Sequence, residues 1–175
     1  MIALRRFLTW LKRRWRGGGF GIHSPFAFSL VTEALCKKGA AGHDEALQAI
    51  GCRDMHFAAV VCRCIDHLKP KSIAIVDGDG SSEFRSIIRL FGDDITIVDE
   101  GDSDMAIVGV TSGALAFDTN AKVVLIARVD KEPSRSLWKR LTTTCSRGMD
   151  FSDYRIGIIC RYSHLPRQSF KIVIK

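Results

Sequence analysis

Short apolar runs alternate with longer amphipathic segments along most of the chain. The apolar runs predict strands, and the segments with apolar residues at helical spacing predict helices. Strands are predicted at residues 72–76, 95–98, 104–110 and 122–127. Helices are predicted after Ser24-Pro25, at 44–50, at 54–68, from the turn after residue 76 to Phe91, and at 133–141. This order predicts an α/β fold that is Rossmann-like, with a mainly parallel twisted sheet flanked by helices.

The ends of two helices can be read from single residues. Ser24 is a good N-cap and Pro25 suits the first helical position, while Gly39 can close the same helix in a left-handed conformation. Pro70 prevents the later helix from continuing. That helix is predicted to bury one side, formed by Met55, Ala58, Ala59, Cys62, Ile65 and Leu68.

The C-terminal part changes character. Residues 154–162 and 170–175 are both rich in β-formers, and His164-Leu165-Pro166 lies between them. We expect these two runs to form an antiparallel hairpin that closes the sheet.

A glycine-bearing turn between the first two strands is the most informative chemical feature. Asp77, Gly78 and Gly80 follow the first strand, and Asp99 follows the second. Glycines let a ligand approach the backbone, and an acid at the second strand's tip suits the hydroxyls of a ribose. The turn has no P-loop lysine, and its acids would repel a pyrophosphate, so S-adenosylmethionine fits better. The alternative is a tight turn with solvated carboxylates.

Size and composition restrict the class of protein. The chain has 175 residues, of which 46% are hydrophobic, and this favours one folded domain. No apolar run approaches the roughly 20 residues that span a bilayer. The cations after residue 11 do not suit a secretory signal. We therefore expect a cytoplasmic protein whose six cysteines are reduced.

The basic charge is concentrated at the N-terminus. The net charge is +7, and residues 1–16 supply six cations and no acid. Apolar residues fall on one side of this segment, which predicts a basic amphipathic helix followed by a hinge at Gly17-Gly18-Gly19. We favour docking of this arm on its own domain; contact with RNA or an anionic membrane surface is the alternative. Residues 1–19 are thus an arm and hinge, and residues 20–175 a single domain.

Residues 21–28 read Gly-Ile-His-Ser-Pro-Phe-Ala-Phe. They resemble the opening signature of a bacterial family of class I S-adenosylmethionine-dependent methyltransferase-like proteins, in which a basic segment precedes a GIHSPF stretch. Weaker similarity covers residues 57–70, 136–141, 155–159 and 170–172. The resemblance implies a methyltransferase-like domain at 20–175, with Asp77 and Gly78 as the acid and first glycine of its cofactor motif.

The chain also departs from that family. The second glycine is displaced, and few residues separate Asp99 from the next strand, where the family has a further helix and strand. Arg128-Val129-Asp130 stands where the family has an acidic pair, and an arginine there disfavours a cationic ligand.

Two functions therefore stay open. The first is a methyltransferase with an unknown acceptor, for which Asp130 and His23 are the candidates for a general base. The second is a catalytically inactive binding or scaffold protein that uses its arm to contact RNA, membrane or protein.

A zinc site is an alternative chemistry for Cys62 and Cys64, with His56 and His67 on the same predicted helix. Residues two apart on a helix face different ways, whereas zinc needs four converging ligands. We expect buried thiols and no metal site. Cys52 and His56 lie four residues apart and could meet, but the sequence shows no acid or oxyanion donor beside them.

Overall fold

The described part of the chain covers residues 19, 21–76, 81–98, 102–110 and 119–175 of a computed structural model. The predicted arm at 1–16, the turn residues Asp77, Gly78 and Gly80, and Asp99 lie outside these residues. Gly19 is described: it has a φ of +80° and is buried against the ring of Phe28.

Five helices and seven strands are described. The strands are β1 (Ser72–Val76), β2 (Thr96–Val98), β3 (Met105–Val108), β4 (Val123–Ala127), β5 (Met149–Ser152), β6 (Ile156–Cys160) and β7 (Gln168–Lys171). The helices are α1 (Pro25–Leu30, continued by a π-helix at Val31–Leu35), α2 (Asp44–Ile50), α3 (Met55–Leu68), α4 (Ser81–Arg89) and α5 (Ser134–Thr144).

The strands form one sheet in the order β2-β1-β3-β4-β6-β5-β7. All of them run in the same direction except β6, which is antiparallel to both of its neighbours. The predicted α/β class and the mostly parallel sheet are confirmed. The parallel strands end together at what we call the carboxyl edge and begin at the amino edge.

Central strands bury both faces, as parallel strands flanked by helices do. On β3, Met105 and Ile107 join the core on the side of α1 to α4, whereas Ala106 and Val108 join the core on the side of α5. The alternation follows from the period of two along a strand.

Two predicted helix starts are confirmed. The Ser24 hydroxyl accepts a hydrogen bond from the Ala27 amide at 3.3 Å, and the Asp54 carboxylate accepts one from the Phe57 amide at 3.1 Å. The first helix ends earlier than expected: it widens into the π-helix, whose last bond runs from the Cys36 amide to the Val31 carbonyl at 2.9 Å.

Helix α3 is buried over a wider arc than its predicted side. Phe57, Val61 and Cys64 are buried, whereas Met55 is 39% exposed. Helix α3 packs against α1, its π-helical extension, α2 and α4 as well as the sheet, and therefore buries more than a single stripe.

Arg63 is a buried charge in the middle of α3, and only 3% of it is exposed. Its Nε donates to the carbonyl oxygen of Ala34 at 2.6 Å, and its two Nη atoms donate to the carbonyl oxygens of Gly39 and Lys175. One guanidinium thus satisfies main-chain acceptors from three segments, which is how a buried charge is tolerated.

The predicted C-terminal hairpin is wrong in its pairing. The antiparallel hairpin joins β5 to β6, and β7 pairs in parallel with the far side of β5. Strand β5 escapes prediction because Asp150 interrupts its apolar run. That carboxylate is buried and bonded to Arg167 and Ser169, which flank and begin the neighbouring strand β7.

Asp104 ties two strands together at the amino edge. Its carboxylate accepts hydrogen bonds from the Lys71 amide, just before β1, at 2.9 Å and from the Lys122 ammonium, just before β4, at 2.7 Å. The Lys122 hydrogen bond, followed by the Lys71 one, lowers the pKa of Asp104 below its ordinary value.

We expect Arg63→Met to lower the free energy of unfolding by about 3 kcal/mol or more, because three carbonyl groups lose their donor. The free energy of unfolding of Arg63→Lys should lie between those of the wild type and Arg63→Met, because one ammonium cannot reach all three oxygens as a planar guanidinium does. Urea denaturation measures both. Arg89→Met, an exposed arginine on α4, serves as control and should change stability by a few tenths of a kcal/mol. Equal effects at the two arginines would contradict the role given to Arg63.

We expect Asp104→Asn to cost about 1 kcal/mol at pH 7. Because the folded protein lowers the pKa of Asp104, its contribution to stability is fully present above the unfolded value near 3.9 and is lost as pH falls through the folded value. The difference between wild type and variant should therefore shrink toward pH 3 in urea denaturation. A stability difference between wild type and Asp104→Asn that does not change with pH would contradict the role given to Asp104. Asp93→Asn, at an exposed acid, is the control variant.

Candidate functional site at the carboxyl edge

The strand order creates a switch point between β1 and β3. From β1 the chain passes to β2 on one side, and it then returns to β3 on the other side of β1. In open α/β sheets, the crevice at the carboxyl ends of two such strands is where ligands bind.

A cleft of about 550 Å³ opens at this edge. It is lined by residues of the loop before α3 and its first turn, of α4, and of the ends of β3, β4 and the β5–β6 turn: Arg53, Asp54, Met55, His56, Phe57, Glu83, Phe84, Gly109, Val110, Ala127, Arg128 and Arg155. Phe57 and Phe84 are buried and meet edge to face, with ring centroids 5.8 Å apart. The cleft combines an apolar base with charged walls, as small-molecule sites do.

On the α4 side, Glu83 holds the loop that precedes α3. Its carboxylate accepts a hydrogen bond from the Arg53 amide at 3.1 Å and lies 3.6 Å from the Arg53 Nε. Burial, together with Glu83, raises the pKa of the Cys52 thiol to about 11. Burial, with a smaller contribution from Glu83, thus keeps the Cys52 thiol protonated at neutral pH, and Cys52 is not an activated nucleophile.

On the opposite wall, Asp54 joins α3 to the β5–β6 turn. One oxygen caps α3, and the other accepts a hydrogen bond from Arg155 Nη2 at 3.3 Å. The turn that carries Arg155 is itself fixed by Asp153, whose carboxylate accepts hydrogen bonds from the Arg155 and Ile156 amides.

Arg128 and Asp130 form a two-bond pair just after β4. Arg128 Nε and Nη2 donate to the two carboxylate oxygens of Asp130 at 2.9 and 2.8 Å. These bonds lower the pKa of Asp130 and raise that of Arg128. A carboxylate held in this way is a weaker proton acceptor, so the pair does not favour Asp130 as a general base.

The structure does not bring the two candidate bases together. Arg128 lines the cleft and Asp130 is bonded to it, whereas exposed His23 precedes α1 near the amino edge. There Phe26 contacts Tyr162, with ring centroids 5.3 Å apart, and Tyr162 follows the end of the reversed strand β6. Asp77, Gly78, Gly80 and Asp99 lie outside the described residues; in sequence they directly follow β1 and β2 at the carboxyl edge.

Sequence reasoning missed the charged walls of the cleft. Arg155 and Asp54 are 101 positions apart, and Arg53 and Glu83 are far apart as well, so no spacing rule could pair them. The sequence feature that could have indicated these residues is their place next to helix and strand ends. Arg53-Asp54 precedes a helix, and Arg155 follows an Asp-Tyr turn before a strand.

We expect Arg128→Asn to raise the pKa of Asp130 toward the ordinary value near 3.9, because both hydrogen bonds from the guanidinium are removed. Asparagine tolerates the left-handed backbone at this position, so the fold should persist. Carboxyl-carbon NMR titration measures the shift, and Arg89→Asn is the control. An unchanged Asp130 titration in a folded Arg128→Asn protein would refute the pairing.

Within the described residues, none of the helices is long and apolar enough to cross a bilayer, and no group of three or more histidine, cysteine or acidic residues could hold a metal ion. No protein-family model, curated protein or solved structure matches the chain.

Proposed function

We propose that the protein is a Rossmann-like, methyltransferase-like domain that binds S-adenosylmethionine at the carboxyl edge and transfers its methyl group to a bound acceptor. The observation that carries this proposal is the cleft at the carboxyl ends of β3 and β4, which lies beside the β1–β3 switch point where α/β sheets bind ligands. The resemblance of residues 21–28 to a methyltransferase-like family adds the choice of cofactor.

Chain order supports the placement of the cofactor. Val76 ends β1 at the carboxyl edge, where its carbonyl oxygen accepts a hydrogen bond from the Gly109 amide at 2.9 Å. Asp77, Gly78 and Gly80 come next in sequence, and in this proposal they bind the methionine end. Asp99 comes next after β2 and binds the ribose hydroxyls.

The volume of the cleft is compatible with this use. Small-molecule sites in proteins measure roughly 300–1,000 Å³, and the cleft falls within that range. Its apolar base, formed by Phe57 and Phe84, excludes water beneath a bound ligand.

Proximity and orientation are the proposed source of catalysis. Displacement of a methyl group from a sulfonium needs the acceptor atom in line with the breaking bond, and holding two reactants in place contributes several kcal/mol to such a reaction. Asp130 is bonded to Arg128, and His23 lies toward the opposite edge, so the proposal gives neither the role of proton acceptor.

A second function is favoured by the same Arg128–Asp130 pair. An ion pair placed where the family has two acids suits a domain that has kept the binding edge and lost methyl transfer. In that case the protein is a binding or scaffold module, and the basic segment at 1–16 contacts RNA, an anionic membrane or another protein.

Calorimetry with S-adenosylmethionine and S-adenosylhomocysteine tests cofactor binding. We expect a micromolar dissociation constant that rises at least about tenfold in Asp99→Ala, because two hydrogen bonds to the ribose are lost. Asp93→Ala, an exposed acid on the loop before β2, is the matched control and should bind as wild type does.

If neither S-adenosylmethionine nor S-adenosylhomocysteine produces heat at millimolar concentration, the proposal of cofactor binding is wrong and the scaffold function is favoured. If the protein binds the cofactor but transfers no radiolabelled methyl group to any component of a cell extract, a catalytically inactive binding domain is favoured. Equal weakening in the Asp99 and Asp93 variants would contradict the assignment of the ribose to Asp99.

A further inference from the structure

Two arginines line the cleft from neighbouring chain segments at the ends of β4 and β6. The regular antiparallel pairing ends with Ala127 opposite Ile156, and the next hydrogen bond runs from the Val129 amide to the Arg155 carbonyl oxygen at 2.9 Å. Arg128 therefore lies at an irregular position between these two bonds, close to the segment that carries Arg155. A cleft bordered by two guanidinium groups suits an anionic ligand.

Arg128 also occupies an unfavourable backbone conformation. Its φ is +55°, in the left-handed region where glycine or asparagine is preferred. A residue with a Cβ costs roughly 1 kcal/mol or more there. The chain keeps a long cationic side chain at a position that favours a small one, and such outliers concentrate at functional sites.

Both guanidinium groups keep donors for a ligand. Arg128 uses Nε and Nη2 for Asp130, and Arg155 uses one Nη2 bond to Asp54. A guanidinium has five N–H donors. Among the residues that the structure describes, Nη1 of Arg128 and both Nε and Nη1 of Arg155 donate to no protein acceptor. Guanidinium donors match the oxygens of carboxylates and phosphates.

Apolar surface lines the same cleft. Met55 is 39% exposed and Val110 is 60% exposed, although both are apolar and both line the cleft with Arg128 and Arg155. A ligand with an anionic group and an apolar body would cover this surface and use the open donors together.

We propose that Arg128 and Arg155 bind the carboxylate or phosphate of a small molecule whose apolar part covers Met55 and Val110. Identifying this molecule as the methyl acceptor rests on the proposed function, whereas binding of the anion does not. Asp130 forms an ion pair with Arg128, and Asp54 forms one with Arg155.

Titration of the full chain with benzoate, phenyl phosphate and neutral benzamide, followed by amide NMR, tests the site. The two anions should shift the amides of Val110, Arg128 and Arg155 with millimolar or tighter dissociation constants. Benzamide, which keeps the ring of benzoate without its charge, should bind at least tenfold more weakly. The ranking of benzoate against phenyl phosphate distinguishes a carboxylate from a phosphate ligand.

Variants separate binding from structure. Arg155→Gln and Arg128→Asn should each weaken the anions at least tenfold, and Arg128→Asn keeps a residue suited to the left-handed backbone. Asp130→Asn should strengthen them severalfold, because it releases two donors of Arg128. Arg147→Gln, an exposed arginine away from the cleft, should bind as wild type. A merely structural ion-pair network would not give opposite effects at Arg128 and Asp130.

Equal affinity for benzoate and benzamide, or unchanged anion affinity in both folded arginine variants, would overturn the anion site. If S-adenosylmethionine binds and the anions do not, this inference fails and the proposed function stands. If the anions bind and S-adenosylmethionine does not, the anion site stands and the cofactor proposal fails.

Discussion

The buried guanidinium of Arg63 is the interaction on which the arrangement of the helical layer depends. It bonds carbonyl groups from the π-helical turn, the Gly39 loop and the last residue of the chain, so three segments distant in sequence meet at the middle of α3. The Lys175 amide adds a hydrogen bond to the Leu35 carbonyl oxygen at 2.9 Å. With α3 fixed at its centre, its N-cap residue Asp54 is held at the carboxyl edge of the sheet.

The position of α3 in turn defines the cleft. Asp54 caps the helix with one carboxylate oxygen and bonds Arg155 with the other, which joins the helical layer to the β5–β6 turn. Glu83 on α4 accepts a hydrogen bond from the Arg53 amide and so joins α4 to the loop that precedes α3. These pairs are partly exposed, and each contributes little to stability in water. Their effect is to orient side chains around the cleft.

The elements with purely local causes were predictable from the sequence. Helix α2 has its predicted bounds because an apolar pattern ends at Gly51, which is left-handed. The first four strands are short apolar runs between turn residues, and they were found. Strand β5 was not, because its buried Asp150 is satisfied only by residues at β7. The width of the buried arc on α3 was underestimated for a similar reason: it depends on how many elements pack around that helix.

The candidate site likewise has parts that were predictable from local sequence and parts that depend on contacts between distant segments. The strand ends and the glycine turn that follows β1 are local, so the carboxyl edge could be named from the sequence. The arginine–carboxylate walls depend on pairing across the sheet, and Arg155 meets Asp54 only because β6 runs antiparallel to β4. The sequence also predicted that Arg128 would disfavour a cation, but it did not show that Arg128 is paired with Asp130.

The pairing of Arg128 with Asp130 weakens the repulsion of a cation that the sequence led us to expect. An unpaired guanidinium about 6 Å from a sulfonium would repel it by about 3 kcal/mol at an effective dielectric constant of 20. Asp130 binds the guanidinium through two hydrogen bonds, so a cation at that distance meets a neutral pair whose field is much weaker. Arg155, 48% exposed and bonded through a single nitrogen, is the less neutralised of the two. The charge pattern therefore allows a cationic cofactor beside the Arg128–Asp130 pair and an anionic group near Arg155 within one cleft.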